Sequence, residues 1–536
     1  AFFAEKTKAT WEWVPTNVDL RRAREGLTMR PDVASTARDL AERHGFFHWH
    51  LAFPEVFAQG GFDVLLGNPP WERVKLQEQE FFAARNPEIA TAPNAAARRK
   101  LIAALAKSPE GSPEHQLRAA YEHAMHASEA TSLFLLKGPR YPLTGRGDVN
   151  LYAVFAETFL CLAGLQGRAG LIVPTGIATD DGTKAFFDHL AGKGHLASVL
   201  SFENEEFIFP AVHHAYRFSL LTVRGGSGTE PPVFVFFARQ PDQIENPDRR
   251  FTLSAEDIRL VNPNTRTCPV FRSQADAELT KAMYRRVPVL IEEAKGPAGN
   301  PWGIRFLAML HMSNDSALFR TFAELQAAGG ERDGADFLLP DGTRYVPLYE
   351  AKMVHQFDHR WATYEANGKD ARDGSDEDKA DPAWQPLPRY WVPQAEVESL
   401  LRDKGWDRGW LLGWRDICRS TDVRTVIAGV IPTVGVGDKF LLMLPRGSAR
   451  LTAALLGNLD ALVLDYAARQ KLGGTSLKYF TMKQLAVLPP DRYSDADLAF
   501  IVPRVLELTY TAHDLAPWAS DLGYRGPPFR WDPERR

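Results

Sequence analysis

Short apolar runs alternate with longer helix-forming stretches over the first 240 residues of the chain. Runs of strand-favouring residues bounded by Gly or Pro are typical of buried strands. They occur at residues 62–66, 170–173, 197–202, 217–223 and 233–237. Helical periodicity between them predicts helices near residues 74–106, 114–136, 151–165 and 183–190. The pattern predicts an α/β sheet that closes with a hairpin, in which the glycine-rich residues 224–228 join the last two strands.

The second half of the chain has a different pattern. Residues 241–300 predict a polar linker followed by helices, and residues 301–490 mix short strands with aromatic residues in an α+β arrangement. An acid-rich stretch at 367–386 predicts an exposed loop. With a helical lead-in at 1–45, an α/β domain at 46–240 and a helical C-terminal extension at 491–536, the sequence predicts five segments.

Composition narrows the class of protein without naming its activity. A length of 536 residues, with 45% hydrophobic and 24% charged residues, predicts two to four ordinary globular domains. Because the net charge is −4, any contact with nucleic acid must come from a local patch of positive charge. Cys161, Cys268 and Cys418 lack the spacing of zinc ligands. Neither a signal peptide nor an apolar run of membrane-spanning length is present, so we expect a cytoplasmic protein.

The candidate chemistry lies directly after the run at residues 62–66. Pro69 and Pro70 cannot donate to a β-ladder, so the strand must stop and leave Asn68 at its carboxyl end, where open α/β sheets bind ligands. The Asn68 side-chain oxygen and the Pro69 carbonyl can both accept hydrogen bonds from an exocyclic amine, while Trp71 stacks on the ring that bears it. A strand-end turn with a surface Trp is the alternative interpretation.

The run Asn68-Pro69-Pro70-Trp71 resembles the catalytic Asn/Asp-Pro-Pro-aromatic motif of amino-methyltransferases that use S-adenosylmethionine. Residues 51–235 are similar to the adenine-specific, gamma-order methylase region of large restriction–modification and phage-defence proteins. The resemblance implies a partial Rossmann-like methyltransferase sheet and S-adenosylmethionine as methyl donor. It also implies double-stranded DNA as a partner, and a restriction nuclease as a further domain or subunit.

The same resemblance implies roles for individual residues. Asn68 and Pro69 would accept from the amine of a flipped-out adenine, and Trp71 would stack on one face of the base. Phe207 or Phe209 would cover the other face, although core packing explains both equally well. The remaining implied contacts, on the cofactor side, are those of Asn150 and Tyr152.

One element of the resembled family is missing from the sequence. Its cofactor loop, a Phe-x-Gly-x-Gly pattern, should precede the Asn-Pro-Pro motif, and residues 1–60 do not contain it. The last residues, 529–532, also resemble the middle of a protein of this family. We therefore expect the chain to be a fragment of a longer polypeptide that lacks its N-terminal portion.

Two stretches of the second half, residues 348–360 and 471–480, resemble the target-recognition region that follows the methylase in this family. The second combines Gly473 and Gly474, which permit close backbone approach, with Thr475 and the cations Lys471 and Lys478. Such a set suits a loop that contacts DNA phosphates. An ordinary loop is the alternative.

The first stretch overlaps an imitation of a nuclease signature. Asp341, Glu350 and Lys352 follow the order of the Pro-Asp…Glu-x-Lys magnesium site. The pattern is short and degenerate and falls within the recognition-like region, so we expect no metal site there.

The sequence thus predicts a site-specific methyltransferase for the exocyclic amine of adenine in DNA. Close alternatives with the same motif methylate RNA bases or a protein glutamine. An alternative of another class is a DNA-recognition module without activity of its own.

Overall fold

The structure, a computed structural model, describes residues 15–365 and 367–535. The chain divides into two compact units, residues 1–63 and residues 64–536. The first fourteen residues of the predicted helical lead-in lie outside the described residues. The predicted boundaries at residues 45, 240, 300 and 490 stay predictions.

The described part of the first unit is helical up to the start of β1. Thr16 and Asp19 form a capping box at the first helix, and Arg30 binds the Asp19 carboxylate at 3.0 Å. Hydrogen bonds from Arg30 and then Thr16 hold the pKa of Asp19 well below its usual range. The helices of this unit are Asn17–Arg24, Pro31–His44, Trp49–Ala52 and Pro54–Ala58.

A six-stranded mixed sheet organises the first part of the second unit, so the α/β class is confirmed. Its strand order is β1-β2-β4-β3-β5-β6. β4 runs antiparallel to both of its neighbours, with Leu221 opposite Leu171 and Val199, whereas β3 and β5 are parallel. Every strand predicted before residue 240 is present. The strands are β1 (Phe62–Gly67), β2 (Ala163–Pro174), β3 (Leu196–Glu203), β4 (Arg217–Arg224), β5 (Val233–Ala238) and β6 (Phe251–Thr252).

The predicted closing hairpin is wrong, because β3 lies between β4 and β5. The glycine-rich connection therefore passes the end of β3 instead of making a tight turn. Its glycines serve close backbone approach: a β-carbon on Gly225 would lie 2.1 Å from the Gly164 carbonyl oxygen. Gly and turn residues indicate that the chain changes direction, but not which strand it pairs with next.

The prediction that β1 is buried is wrong for one of its faces. Val64 and Leu66 are 66% and 80% exposed, whereas Leu65 between them is buried. β1 is the edge strand of the sheet, and no described residue covers the face that carries Val64 and Leu66. An apolar run shows that a strand forms, but it cannot show whether both faces are packed.

The helical region after β1 is more broken than predicted. Proline and asparagine at residues 86–87 and 93–94 interrupt the predicted helix 74–106, and the Asn86 and Asn94 side chains cap the pieces that follow. The predicted helix 114–136 is confirmed as Pro113–Lys137. The helices from here to residue 300 are Glu78–Ala83, Pro87–Ala90, Ala95–Ala104, Pro113–Lys137, Leu151–Leu162, Gly176–Thr179, Lys184–Gly192, Ala255–Val261 and Gln274–Arg286.

The rest of the second unit is α+β. A four-stranded antiparallel sheet has the order β15-β14-β17-β7, and β13-β10-β9-β8 form another, with β16 paired to β10. Four tryptophans with almost no exposed surface, Trp391, Trp410, Trp414 and Trp518, lie in its cores. The strands are β7 (Arg305–Leu307), β8 (Glu331–Asp333), β9 (Asp336–Leu338), β10 (Arg344–Tyr349), β11 (Ala362–Tyr364), β12 (Ala371–Asp373), β13 (Trp391–Pro393), β14 (Trp410–Arg415), β15 (Ala428–Pro432), β16 (Gly435–Val436) and β17 (Phe440–Leu444).

The predicted acidic loop at 367–386 contains regular structure. β12 pairs with β11, and the helix Asp376–Ala380 buries Lys379 against Asp358 at 2.8 Å. Acidic composition indicated solvent exposure correctly for β12 but missed the buried cation in the helix that follows it. The helices of this half are Phe322–Ala327, Asp376–Ala380, Gln394–Asp403, Ala449–Leu459, Leu462–Arg469, Tyr479–Met482, Asp495–Thr509 and Ala516–Asp521.

Among the described residues, no single helix is both long and apolar enough to cross a membrane. The bent pair Ala449–Leu459 and Leu462–Arg469 meets the length and composition only when its members are taken together.

The glycine before the Asn-Pro-Pro motif gives a test of this packing. A β-carbon on Gly67 would come within 2.9 Å of the Phe159 ring, so we expect Gly67→Ala to lower the free energy of unfolding by about 1–3 kcal/mol. Phe159→Leu in the same chain should recover part of that loss. Denaturant unfolding of the two single variants and the double variant measures the coupling.

Gly474→Ala is the matched control, because a β-carbon there meets nothing within 4 Å. Additive effects of Gly67→Ala and Phe159→Leu would contradict the contact.

Candidate active site

The Asn-Pro-Pro motif lies at the carboxyl edge of the mixed sheet. Leu66 lies beside Gly170 and Trp71 beside Ile172, so β1 and β2 run in the same direction. Asn68 is exposed at the end of β1, and Pro69 behind it is buried. The structure therefore gives the predicted arrangement of an exposed amide on a fixed backbone. This edge of an open sheet is where α/β proteins bind their ligands.

Trp71 is fixed by both ends of its side chain. Its indole Nε1 donates to the carbonyl oxygen of Ile172 at 3.2 Å. Its ring packs against Phe218 at 6.4 Å between centroids, with 28° between the planes, and meets Phe209 nearly edge-on at 6.1 Å. A half-buried ring held by a hydrogen bond and two aromatic contacts presents one defined surface.

Asn204 is a residue that sequence reasoning missed. It follows β3 directly and has no exposed surface. Its amide nitrogen donates to the carbonyl oxygens of Phe209 and Val212 at 3.0 and 2.8 Å, and its side-chain oxygen accepts from the Phe209 N–H at 2.9 Å. This buried amide fixes the loop that carries Phe209. An Asn directly after a strand was the only signal for it in the sequence.

The two phenylalanines of that loop differ in environment. Phe209 packs with Trp71 and Phe218 in a small apolar cluster. Phe207 is 53% exposed and has a φ of 53°, in the left-handed region that bulky residues rarely adopt. A strained, exposed aromatic residue two positions from the cluster fits ligand contact better than core packing.

The two predicted cofactor residues lie near the motif but offer little surface. Backbone hydrogen bonds of 3.0 Å, from the Leu151 N–H to Glu72 and from the Val74 N–H to Val149, hold them beside the segment after Trp71. Tyr152 is 5% exposed, and burial followed by the nearby Asp180 carboxylate raises its pKa. The Asn150 amide is directed at the Asp148 carbonyl oxygen. These residues do not form a cradle for a nucleoside cofactor, and their cofactor role stays a prediction.

An ion pair joins the carboxyl edge of the sheet to the predicted DNA loop. Arg217 Nη2 lies 2.9 Å from Glu203 Oε1, and Arg217 Nη1 donates to the Gly473 carbonyl oxygen at 2.6 Å. Glu203 is 7% exposed. Burial lowers the pKa of Arg217, against the opposing effect of the Glu203 carboxylate. The loop is therefore positioned at the same edge as Asn68.

The predicted contact between Lys471 and DNA does not agree with its placement. Lys471 is 8% exposed. Its Nζ donates to the Asn262 side-chain oxygen at 2.6 Å and to the Val261 carbonyl, and lies 4.4 Å from the centroid of the Tyr284 ring. Burial lowers its pKa well below the usual range. Its Nζ therefore satisfies the carbonyl oxygen at the carboxyl end of the helix Ala255–Val261, where lysine side chains commonly bind.

Lys478 is engaged too, although it is half exposed. Its ammonium pairs with the buried Asp416 carboxylate, which Lys439 also approaches at 3.7 Å. Gly474 and Thr475 are exposed at the tip of the loop, and a β-carbon on Gly473 would lie 3.2 Å from the Thr179 side chain. Of the predicted set, the tip is exposed, Lys478 is half exposed, Lys471 is buried, and both lysines have partners within the protein.

The residues of the imitation nuclease signature do not lie together in the structure. Asp341 and Glu350 stand beyond opposite ends of β10, whose six residues span about 17 Å. Asp341 accepts from the Thr343 N–H at 2.8 Å, and Glu350 accepts from the Tyr364 hydroxyl at 2.6 Å. Two carboxylates so separated cannot share a magnesium ion.

One family model matches a part of the chain. Residues 15–98 match the family model of the Eco57I restriction-modification methylase, and the matched stretch contains the Asn68–Trp71 motif. No curated protein matches the chain in sequence.

Among solved structures, the chain is similar to the type IIG restriction endonuclease BpuSI, with 12% identity and a TM-score of 0.26 over 75% of this chain and 51% of that one. The type IIL restriction-modification enzyme MmeI in complex with DNA gives 11% identity and a TM-score of 0.34, over 74% and 52%. A type I methyltransferase subunit from Streptococcus thermophilus gives 14% and 0.20, over 26% and 35%. The chain spans about half the length of BpuSI and of MmeI, and about a third of the length of the type I subunit.

The placement of Lys471 predicts a loss of stability on substitution. Lys471→Met removes the ammonium and leaves the acceptors on Val261 and Asn262 buried without a donor. We expect the free energy of unfolding to fall by about 2–4 kcal/mol, measured by denaturant titration.

Lys295→Met is the control, because Lys295 forms an exposed pair with Glu292 and should cost at most about 1 kcal/mol. A Lys471→Met protein of normal stability with reduced DNA affinity would restore the phosphate-contact interpretation.

Proposed function

We propose that the protein is a site-specific DNA methyltransferase that acts on the exocyclic amine of adenine within a restriction–modification or phage-defence system. The observation that carries this proposal is the Asn68–Trp71 motif itself. It lies inside the stretch that matches a restriction-modification methylase family and is exposed at the carboxyl end of a strand. The wider comparisons agree in kind but are too distant to add weight.

The chemistry begins with a weak nucleophile, because the lone pair of an aromatic amine is delocalised into its ring. Asn68 Oδ1 and the Pro69 carbonyl are two acceptors on rigid backbone. Hydrogen bonds from the amine to both would favour a tetrahedral nitrogen whose lone pair points away from the ring. Such acceptors act through positioning and electrostatics and need no proton transfer in advance.

The target base must leave the duplex to reach this amide. Trp71 offers a fixed ring for stacking, because the Ile172 carbonyl and Phe218 hold it in place. Phe207 is the better candidate for the second face, since its ring is exposed while that of Phe209 supports Trp71. In this proposal, Asn204 fixes the loop that carries both phenylalanines.

S-adenosylmethionine is the proposed methyl donor, and it supplies an electrophilic methyl group on a sulfonium. The described residues form the target side of the reaction, so beyond the predicted Asn150 and Tyr152 no further residue is assigned to the donor. Double-stranded DNA is the proposed partner, with a nuclease in another domain or subunit, and the cytoplasm is the proposed compartment.

The first test is substitution of Asn68. We expect Asn68→Ala in the full-length protein to abolish incorporation of a labelled methyl group into DNA, because the acceptor is needed in the transition state. DNA affinity should stay nearly unchanged. Asn68→Asp retains an acceptor and should keep part of the activity.

Methyl incorporation by Asn68→Ala within threefold of wild type would overturn the assignment. Incorporation into RNA or into a glutamine-containing peptide, but not into DNA, would favour the other amine acceptors. A wild-type protein that binds DNA but neither S-adenosylmethionine nor its analogues would be a recognition module.

The second test separates the two phenylalanines. Phe207→Ala should leave the free energy of unfolding within about 0.5 kcal/mol of wild type, because its ring is exposed. It should reduce the fluorescence rise of 2-aminopurine placed at the target position, which reports base flipping. Phe209→Ala should lower stability by about 2–4 kcal/mol, since it opens the cluster around Phe218. Normal flipping by Phe207→Ala would remove it from the site.

A further inference from the structure

We infer that Arg217, Arg239, Arg249 and Arg272, the arginine cluster, form a binding surface for the phosphates of the DNA strand at the target site. The inference rests on the proposed function. It assigns to the arginine cluster the role of holding the DNA backbone during that reaction. The cluster lies where β3 and β5 end and β4 begins, at the carboxyl edge that also carries Asn68.

One aromatic ring organises the cluster. The guanidinium carbons of Arg217 and Arg272 lie 5.0 and 4.2 Å from the centroid of the Phe237 ring, and Arg249 donates to the Phe237 carbonyl oxygen at 3.3 Å. Phe237 itself has a φ of 60°, which turns the end of β5 at this point. Guanidinium groups against an aromatic face lose less freedom on binding an anion than free side chains do.

The cluster carries more positive charge than its carboxylate neutralises. Glu203 binds Arg217 at 2.9 Å and Arg239 at 3.2 Å. Among the described residues, these two pairs are the only ion pairs of the cluster, and Arg249 and Arg272 have none. Two of the four cations thus pair with the one buried carboxylate, and Glu205 acts on Arg217 from beyond ion-pair distance. A site with this imbalance attracts an anion, and the planar fork of Arg matches the oxygens of a phosphate.

The position of the cluster relates it to the target site. Phe218 packs against Trp71, while Arg217, the preceding residue of β4, holds the Gly473 carbonyl. Because side chains alternate across a strand, the cluster lies on the other face of β4 from the aromatic surface. The exposed tip at Gly474 and Thr475 adjoins it. A strand whose base enters the site would pass this edge with its phosphates.

The lysines of the adjoining loop cannot take this role. Lys471 is buried, and Lys478 neutralises Asp416. The free positive charge at this edge therefore belongs to the arginines.

The test is a salt titration of binding to duplex DNA by the full-length protein, measured by fluorescence anisotropy. Each phosphate contact releases counterions, so Arg272→Ala should weaken binding roughly fivefold at low salt and make the slope of log K against log salt shallower by about one. Arg239→Ala with Arg272→Ala should reduce the slope by about two. Arg272→Lys should retain most of the slope because it keeps the charge.

Arg504→Ala is the matched control. Its guanidinium lies 3.6 Å from the centroid of the Phe500 ring, on the helix Asp495–Thr509, and forms no ion pair with the part of the chain that the structure describes. It should leave affinity and slope unchanged. Thermal unfolding of each variant separates loss of binding from loss of fold.

The outcomes distinguish this inference from the proposed function. A wild-type protein that methylates DNA, with Arg272→Ala and the double variant binding as wild type does, would overturn the cluster alone. Reduced binding and slope in both variants, in a protein that transfers no methyl group, would uphold the cluster and overturn the methyltransferase. A wild-type protein that binds no duplex DNA would overturn the cluster.

Discussion

The buried carboxylate of Glu203 is the charge on which the functional edge depends. It ends β3 and neutralises Arg217, which can then reach across to the Gly473 carbonyl oxygen while it stays largely out of water. A guanidinium in that environment without its carboxylate would carry a desolvation cost of several kcal/mol. The Glu203 carboxylate therefore helps to hold the mixed sheet against the loop of the second half. It also pairs with Arg239, whereas Arg249 and Arg272 form no ion pair among the described residues.

Around this ion pair, neutral hydrogen bonds do the finer positioning. Asn204 ties the loop after β3 through three bonds to backbone groups, and the Ile172 carbonyl holds the Trp71 indole. Both act on residues that follow strands directly, where the ladder no longer fixes the chain. These bonds fix the loop and the indole at the carboxyl edge, and the proposed alignment of an amine with a methyl group would depend on such positioning.

The positions of the strands before residue 240 could be predicted from the sequence, because short apolar runs with Gly or Pro at their ends usually form strands. The motif at residues 68–71 could be placed for the same reason, since two prolines stop a strand wherever they occur. Pairing could not be read: the hairpin between β4 and β5 was a local inference, and the position of β3 between them is a long-range fact. The internal partners of Lys471 and Lys478 could not be read either, because a lysine in a glycine-rich loop looks the same whether its partner is a phosphate or Asp416.

The burial of Lys471 has a consequence for the construction of chimeric proteins. Its ammonium joins the end of the helix Ala255–Val261 to the start of the loop at 471–478, over 200 residues later in the chain. Gln484 makes a second such link, to the backbone at Asn264 and Thr265. A graft of the second half from a related protein must therefore carry residues 255–292 with it. A crossover placed at the predicted boundary near residue 300 would separate Lys471 from its buried acceptors on Val261 and Asn262.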